Sequence, residues 1–186
     1  LRNRILLAAA EELKTRGVKF TMSDLARRLR LSKTSLYEYF ASKNELVHSI
    51  LATAIQDVQE QEKEIYSNCE LSVVDKIQAV LKIVPIVFGP IYNRNLYDDL
   101  RNYYPNEWQL VANFRQEQLD NLISFIAHNI EIHSLRPINT FVLRQIIIST
   151  TNDLFNYQFL EEGNITHANA LAAMADIIVY GLFPSK

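Results

Sequence analysis

The chain reads as an all-α protein of about nine helices. Three observations predict this. Apolar residues recur at the three-and-four spacing of a helix along nearly the whole length. The 186 residues include only 4 Gly and 5 Pro, too few for a loop-rich or all-β fold. Capping residues such as Thr21, Ser32, Ser42 and Asn139 stand where periodic segments begin.

Ile5, Leu6, Ala9 and Leu13 form the inner stripe of a first helix, and Gly17 follows as its stop. Thr21 and Asp24 open a second helix, with Leu25, Ala26 and Leu29 inward. Arg30-Leu31 makes a turn. Ser32 then caps a third helix, in which Leu36 and Phe40 face the core. Ser42 and Glu45 have the spacing of a capping box, each side chain satisfying the other residue's N–H. It opens a long fourth helix over residues 43–66. A fifth is expected over 71–88, bent or ended by Pro85. After the Gly89-Pro90 break come a short sixth helix over 92–103 and a seventh from Pro105 to about 132. Residues 133–138 connect to an eighth helix capped by Asn139 and ending near 162, and Thr166 opens a ninth. No strand, long repeat or low-complexity tract is evident.

The net charge of −2 conceals an asymmetry. Residues 1–48 hold ten Lys/Arg and five Asp/Glu, a net of +5, whereas 49–186 hold nine and sixteen, a net of −7. A basic N-terminal part on an acidic body points to a polyanion met by the first part alone. The domain boundary is placed accordingly, with 1–48 as one domain and 49–186 as the other. A single cysteine, Cys69, can form no intrachain disulfide and reads as a partly buried, inert thiol. No apolar run reaches the ~18 residues of a membrane span, so a cytoplasmic protein without a membrane partner is expected.

Residues 21–46 carry the chemistry. Two short helices meet at a tight turn, and the second has an outer face of hydroxyls, a lysine and two tyrosines. A helix of this kind fits the DNA major groove and reads base edges from its N-terminal end. Lys33 can donate to guanine O6 and N7. Thr34 and Ser35 can hydrogen-bond to bases or phosphates, and the Thr34 methyl can pack on a thymine methyl. Tyr37 and Tyr39 offer phenol hydroxyls to phosphate oxygens, Lys43 points the same way, and Arg28 lies beside the backbone.

L-A-x-R-L-x-L-S-K-x-S-L-Y-x-Y-F-x-S-K-x-E-L, residues 25–46, resembles the helix-turn-helix signature of the tetracycline-repressor (TetR) family. The preceding helix, with Ile5, Ala8, Ala9, Leu13 and Gly17, fits that family as well. The resemblance implies a two-fold dimer with an N-terminal DNA-binding domain and a larger helical effector domain. It places base contacts on Lys33, Thr34 and Ser35, and phosphate contacts on Tyr37, Tyr39 and Lys43. Two positions depart from the pattern. Arg30 stands at the turn glycine and Thr34 at a common glycine. Arg30 is then either a phosphate contact or a solvated turn side chain, and Thr34 alters which operator is read.

In the remaining chain, the eighth helix is strongly apolar, with Phe141, Val142, Ile146, Ile147, Leu154 and Phe155. The ninth carries Ala168, Ala172, Ala175 and Val179 on one face. Ile147, Leu154, Phe155, Leu171, Ala175 and Ile178 are the expected homodimer contacts, the alternative being two core helices of a monomer. Phe88, Tyr92, Tyr97, Tyr103, Tyr104 and Trp108 cluster near the Pro/Gly break. Phe88, Tyr92, Tyr103, Tyr104 and Trp108 are candidates to line a cavity for an amphipathic small-molecule effector, or else packed core and surface residues. Asn152 is a candidate polar anchor, with interface or surface as the alternative.

No metal or cofactor is expected. His128 and His133 are five apart, poor spacing for one helical face, and no H-E-x-x-H or C-x-x-C occurs. The expected function is a ligand-responsive transcriptional regulator, a repressor released from a pseudo-palindromic operator by a small molecule. A helical adaptor without effector is the alternative. An enzyme is the weaker one, because no titratable residues stand at a recognisable catalytic spacing.

Overall fold

The computed structural model describes residues 1–89, 96–132, 134–154, 160 and 162–182. Tyr92, His133, Phe155 and the side chain of Tyr97 lie outside the described residues. The described residues form nine α-helices and one short 3-10 turn, with no strand among them. These are α1 Arg2–Arg16, the turn Gly17–Lys19, α2 Met22–Leu29, α3 Lys33–Tyr37, α4 Lys43–Ser67, α5 Val73–Leu81, α6 Leu96–Tyr103, α7 Pro105–Glu131, α8 Thr140–Leu154 and α9 His167–Leu182. The all-α expectation holds.

The chain packs as two compact units. The first comprises Leu1–Gln59 and Val84–Phe114, the second Glu60–Ile83 and Arg115–Lys186. This partition by packing differs from a partition by charge at residue 48, because residues 84–114 pack with the basic part of the chain.

In the first unit the caps act as their residue types dictate. Thr21 and Asp24 form a reciprocal capping box, with Asp24 N–H donating to Thr21 Oγ1 at 3.1 Å and Thr21 N–H to Asp24 Oδ2 at 3.1 Å. Hydrogen bonds from Thr21 hold the Asp24 carboxyl below its usual range. At the next cap Glu45 N–H donates to Ser42 Oγ at 3.1 Å, but the Glu45 carboxylate receives the Ala41 N–H, at 2.8 Å. The returning half of the box thus falls one residue early, and the chain bends sharply between α3 and α4. For that reason α3 stops at Tyr37, short of the expected passage through Phe40.

Leu25, Leu36, Phe40, Leu46 and Ile50 are fully buried in one cluster with Ile5, Ala9 and Leu13 of α1. Phe88, Leu96, Leu100 and Tyr104 complete the same core. The helix expected over 71–88 ends at Leu81, four residues before Pro85. Proline disfavours the helical conformation in the residue before it, and it has no N–H for the next turn. The Asp57 carboxylate of α4 accepts the N–H groups of Ile86 at 2.5 Å and Val87 at 2.9 Å, which ties down the non-helical return.

The second unit has its own core. Ile77, Val80 and Leu81 of α5, Leu119, Leu122 and Ile126 of α7, Leu143 and Ile147 of α8, and the inner face of α9 bury together. Asp176 of α9 accepts from Gln78 at 2.5 Å and pairs with Lys82 at 3.5 Å, linking α9 to α5. Arg144 of α8 pairs with Asp120 of α7.

The turn between α2 and α3 contains the one non-glycine strain in the first unit among the described residues. Arg30 has φ 54° and ψ 43°, the left-handed region, and its N–H closes α2 on Ala26 and Arg27 carbonyls. A side chain there costs about 1 kcal/mol relative to glycine. Arg30→Gly is expected to raise stability by about 0.5–1 kcal/mol, part of the gain being lost to the freer unfolded chain. Thermal unfolding of the two proteins checks it, and a lower midpoint for the variant would show that the Arg30 side chain itself holds the turn.

Candidate nucleic-acid interface

Helix α3 is divided by its own sequence. Leu36, and Phe40 just beyond it, are wholly buried, whereas Lys33, Thr34, Tyr37 and Tyr39 are exposed. Ser32 caps the helix by accepting the Ser35 N–H at 3.0 Å. The Ser32 hydroxyl also donates to Ser35 Oγ at 2.9 Å, so half-buried Ser35 is partly engaged in the cap. Tyr37 is 46% and Tyr39 39% exposed. Among the exposed cations of residues 1–48 that make no ion pair with a described residue, Arg30 and Lys33 stand on either side of Ser32. The geometry therefore brings Lys33, Thr34, Tyr37 and Tyr39 together on one outer surface, with Ser35 at its margin.

Two expected phosphate contacts are placed otherwise. Arg28 donates to Glu12 Oε1 at 2.7 Å, and Glu12 is buried and also pairs with Arg16 at 3.5 Å. Arg28 thus locks α2 to α1, with its guanidinium half-exposed at the edge. Lys43 is a clearer correction. Its ammonium turns inward to the Val18 carbonyl, stands 4.7 Å from the centre of the Phe20 ring and 6.0 Å from that of Tyr104. Burial holds the Lys43 pKa below its usual range, with Asp99 acting in the opposite direction. A buried carbonyl and two aromatic faces are better partners for this cation than the solvent that the helix end would offer. Spacing alone gave no sign of the inward turn, because α4 begins with Lys43 on the same side as α3.

Among the described residues, the aromatic candidates divide between core and surface. Phe88 and Tyr104 are buried in the core of the first unit, and Trp108 packs against that core. Tyr103, one residue from Tyr104, is exposed. Successive helical residues point about 100° apart, so the tyrosine pair divides between core and solvent. Asn152, in the second unit, is exposed and accepts from Arg115 at 3.0 Å. The expected dimer contacts fare similarly. Ile147, Leu154, Ala175 and Ile178 are buried within the second unit of a single chain, and Leu171 is half-buried there. The outward apolar residues of the same helices are Phe141, Val142 and Ile146 on α8 and Ile177 and Tyr180 on α9.

A polar, cationic helix presented by a buried helix-turn-helix core defines a DNA-binding transcriptional regulator of the helix-turn-helix class. The chain matches the family model of bacterial regulatory proteins, tetR family, over residues 5–50. It is similar to the HTH-type transcriptional regulator YvaF of Bacillus subtilis (strain 168), with 26% identity over 179 residues, 96% of this chain and 94% of that protein. Among solved structures, it resembles the TetR family transcriptional regulator PfmR from Thermus thermophilus, with TM-score 0.71 and 20% identity over 97% of this chain and 100% of that one. It also resembles AibR in complex with isovaleryl coenzyme A and operator DNA, with TM-score 0.67 and 18% identity over the whole of both chains. These relatives are regulators rather than enzymes.

The inward turn of Lys43 predicts how DNA affinity responds to salt. Lys33→Met, which removes an exposed cation of α3, is expected to reduce the slope of log affinity against log salt by up to about 1 per half-site. Lys43→Met should leave that slope unchanged, while it strips the Val18 carbonyl of a donor and costs about 1–2 kcal/mol of stability. Binding titrations at several salt concentrations, with unfolding curves alongside, check both.

Proposed function

We propose that the protein is a ligand-responsive repressor that binds a pseudo-palindromic operator as a homodimer in the cytoplasm. Residues 1–48 read DNA, and residues 49–186 bind the effector and form the dimer. The observation that carries the reading is the outer face of α3 and the turn after it, where Lys33, Thr34, Tyr37 and Tyr39 are exposed while Leu36 and Phe40 are buried. A groove-reading helix must present polar groups outward and keep them unpaired within the protein. Lys33 and Thr34 would meet base edges, and the two tyrosines phosphates. The substitution of Thr34 for a common glycine makes the operator this chain's own.

A dimer supports this reading because two α3 helices must reach successive major grooves, about 34 Å apart. The dimer surface proposed is Phe141, Val142, Ile146, Ile177 and Tyr180, of which Phe141, Ile177 and Tyr180 are 77, 75 and 81% exposed in one chain. Large apolar side chains that far out of the core are covered in a stable assembly. The effector is an amphipathic small molecule. Release requires only that it bind the DNA-free arrangement more tightly than the DNA-bound one. AibR, whose solved complex holds both an acyl-coenzyme A and operator DNA, is a fold relative in which one protein accommodates both kinds of partner.

Selection of bound sequences from random duplex DNA should yield a pseudo-palindrome. Lys33→Ala and Tyr37→Ala should each weaken binding to it at least about tenfold without changing the unfolding midpoint. Recovery of no preferred sequence, or full binding by both variants, would sink the reading. Phe141→Glu with Ile177→Glu should convert a dimer into a folded monomer by sedimentation, with loss of operator binding. A dimer that persists in that variant places the interface elsewhere.

A further inference from the structure

Helix α4 continues its inward stripe past Val58 with a carboxylate. Glu62 is 5% exposed, where the helical spacing calls for an apolar residue. The side-chain amides of Asn121 and Gln118 of α7 lie close enough to its carboxyl to favour the charged form, yet Oε1 is buried with no hydrogen-bond partner among the described residues. One turn further along α4, the Tyr66 hydroxyl is also buried with no partner among them. The Tyr66 ring packs against Phe125 of α7, their centres 5.0 Å apart and their planes at 45°. Gln118, Asn121 and Phe125 recur at three-and-four spacing, so one face of α7 meets Glu62 and Tyr66. All five residues belong to the second unit.

The electrostatics of the pair are one-sided. Among the described residues, the only charge that bears on the Glu62 carboxyl is Glu117, of the same sign, and burial raises its pKa further. Burial, then the charge of Glu62, pushes the Tyr66 phenol well above its usual range, so it keeps its proton. A buried carboxyl oxygen and phenol oxygen without partners are costly to retain in a folded chain unless something arrives to satisfy them. What arrives must donate hydrogen bonds, bring positive charge and tolerate aromatic walls.

We propose that Glu62 and Tyr66 form the polar anchor of a site for an amphipathic organic amine. Its ammonium donates to Glu62 Oε1 and the Tyr66 oxygen, and its apolar body lies against the Tyr66 and Phe125 rings. A carboxylate or phosphate headgroup would bring like charge to Glu62 and is disfavoured at this place. The proposal rests on the effector reading above and names its chemical class.

The test compares three probes of one shape on the full-length protein: 4-phenylbutylamine, 4-phenylbutanol and 4-phenylbutyrate, by calorimetry and thermal shift. The amine should bind at least about tenfold more tightly than the carboxylate, the scale of a charged hydrogen bond. Glu62→Met, and Glu62→Gln as the variant closest in shape, should abolish the preference for the amine. Without ligand, Glu62→Met should unfold about 2–4 °C higher, because an uncompensated buried charge has been removed. Equal binding of amine and carboxylate, an amine preference that survives both variants, or a lower midpoint for Glu62→Met would each overturn the site, the last by showing the carboxyl to be structural. Operator release is read separately. Amine bound through Glu62 without release overturns the effector role and leaves the site standing. Release by a different compound class with no amine binding does the reverse.

Discussion

A helix whose outer face is polar and exposed has little left with which to hold itself in place. Helix α3 has five residues, and Leu36 with nearby Phe40 is its whole apolar contribution. Three helices of this size bury too little surface to be stable alone. Here the shortfall is met by Phe88, Leu96, Leu100 and Tyr104, which close the same core from residues 84–114. The position of the reading helix therefore depends on residues outside the helix-turn-helix motif. Of the aromatics that suggest a ligand cavity on composition alone, Phe88 and Tyr104 are buried in this core.

The cations of the first 48 residues are divided between the same two tasks. Arg28 and Arg16 converge on buried Glu12 and fix α2 against α1. Arg2 lies 4.7 Å from the centre of the Phe40 ring, and Arg4 donates to the Leu29 carbonyl at 3.3 Å. Lys43 is drawn between Val18, Phe20 and Tyr104. A net charge of +5 thus overstates what DNA meets directly, since much of it holds the frame. Free positive charge stands at Arg30 and Lys33, beside the strained turn at the start of α3, and also at Lys19.

Local signals were legible because their physics is local. Thr21 with Asp24 and Ser32 with Ser35 cap helices through contacts three residues apart, and the left-handed turn at Arg30 follows from the residues around it. The all-α class and the exposed polar face of α3 could be read for the same reason. The destination of a long side chain is not local. Lys43 and Arg28 have reach enough to choose between solvent and a buried partner, and the partners come from other elements. Pro85 was legible as a break but not as one felt four residues upstream, where the Asp57 carboxylate offers an alternative to helical hydrogen bonds. Glu62 did carry a signal, a carboxylate on an apolar stripe, which only gains meaning once Tyr66 and α7 are seen to surround it.

Helices α8 and α9 show a different limit. A helix with one apolar stripe has one partner, and its period tells which residues face it. Here apolar residues occupy more than one face. Ile147 and Leu154 look inward on α8 while Phe141 and Ile146 look outward; Ala175 and Ile178 look inward on α9 while Ile177 and Tyr180 do not. Period alone cannot assign the two faces, since both satisfy the same spacing. Size offers no guide either, because the small residue Ala175 is packed in the core and the large rings of Phe141 and Tyr180 are outside. What separates the faces is the interior of the single chain, which fills with Ile77, Ile126 and Leu182 and leaves no room for a second set. The apolar surface left over is therefore the surface free to meet another molecule, and it lies on the two helices that a two-fold partner would share.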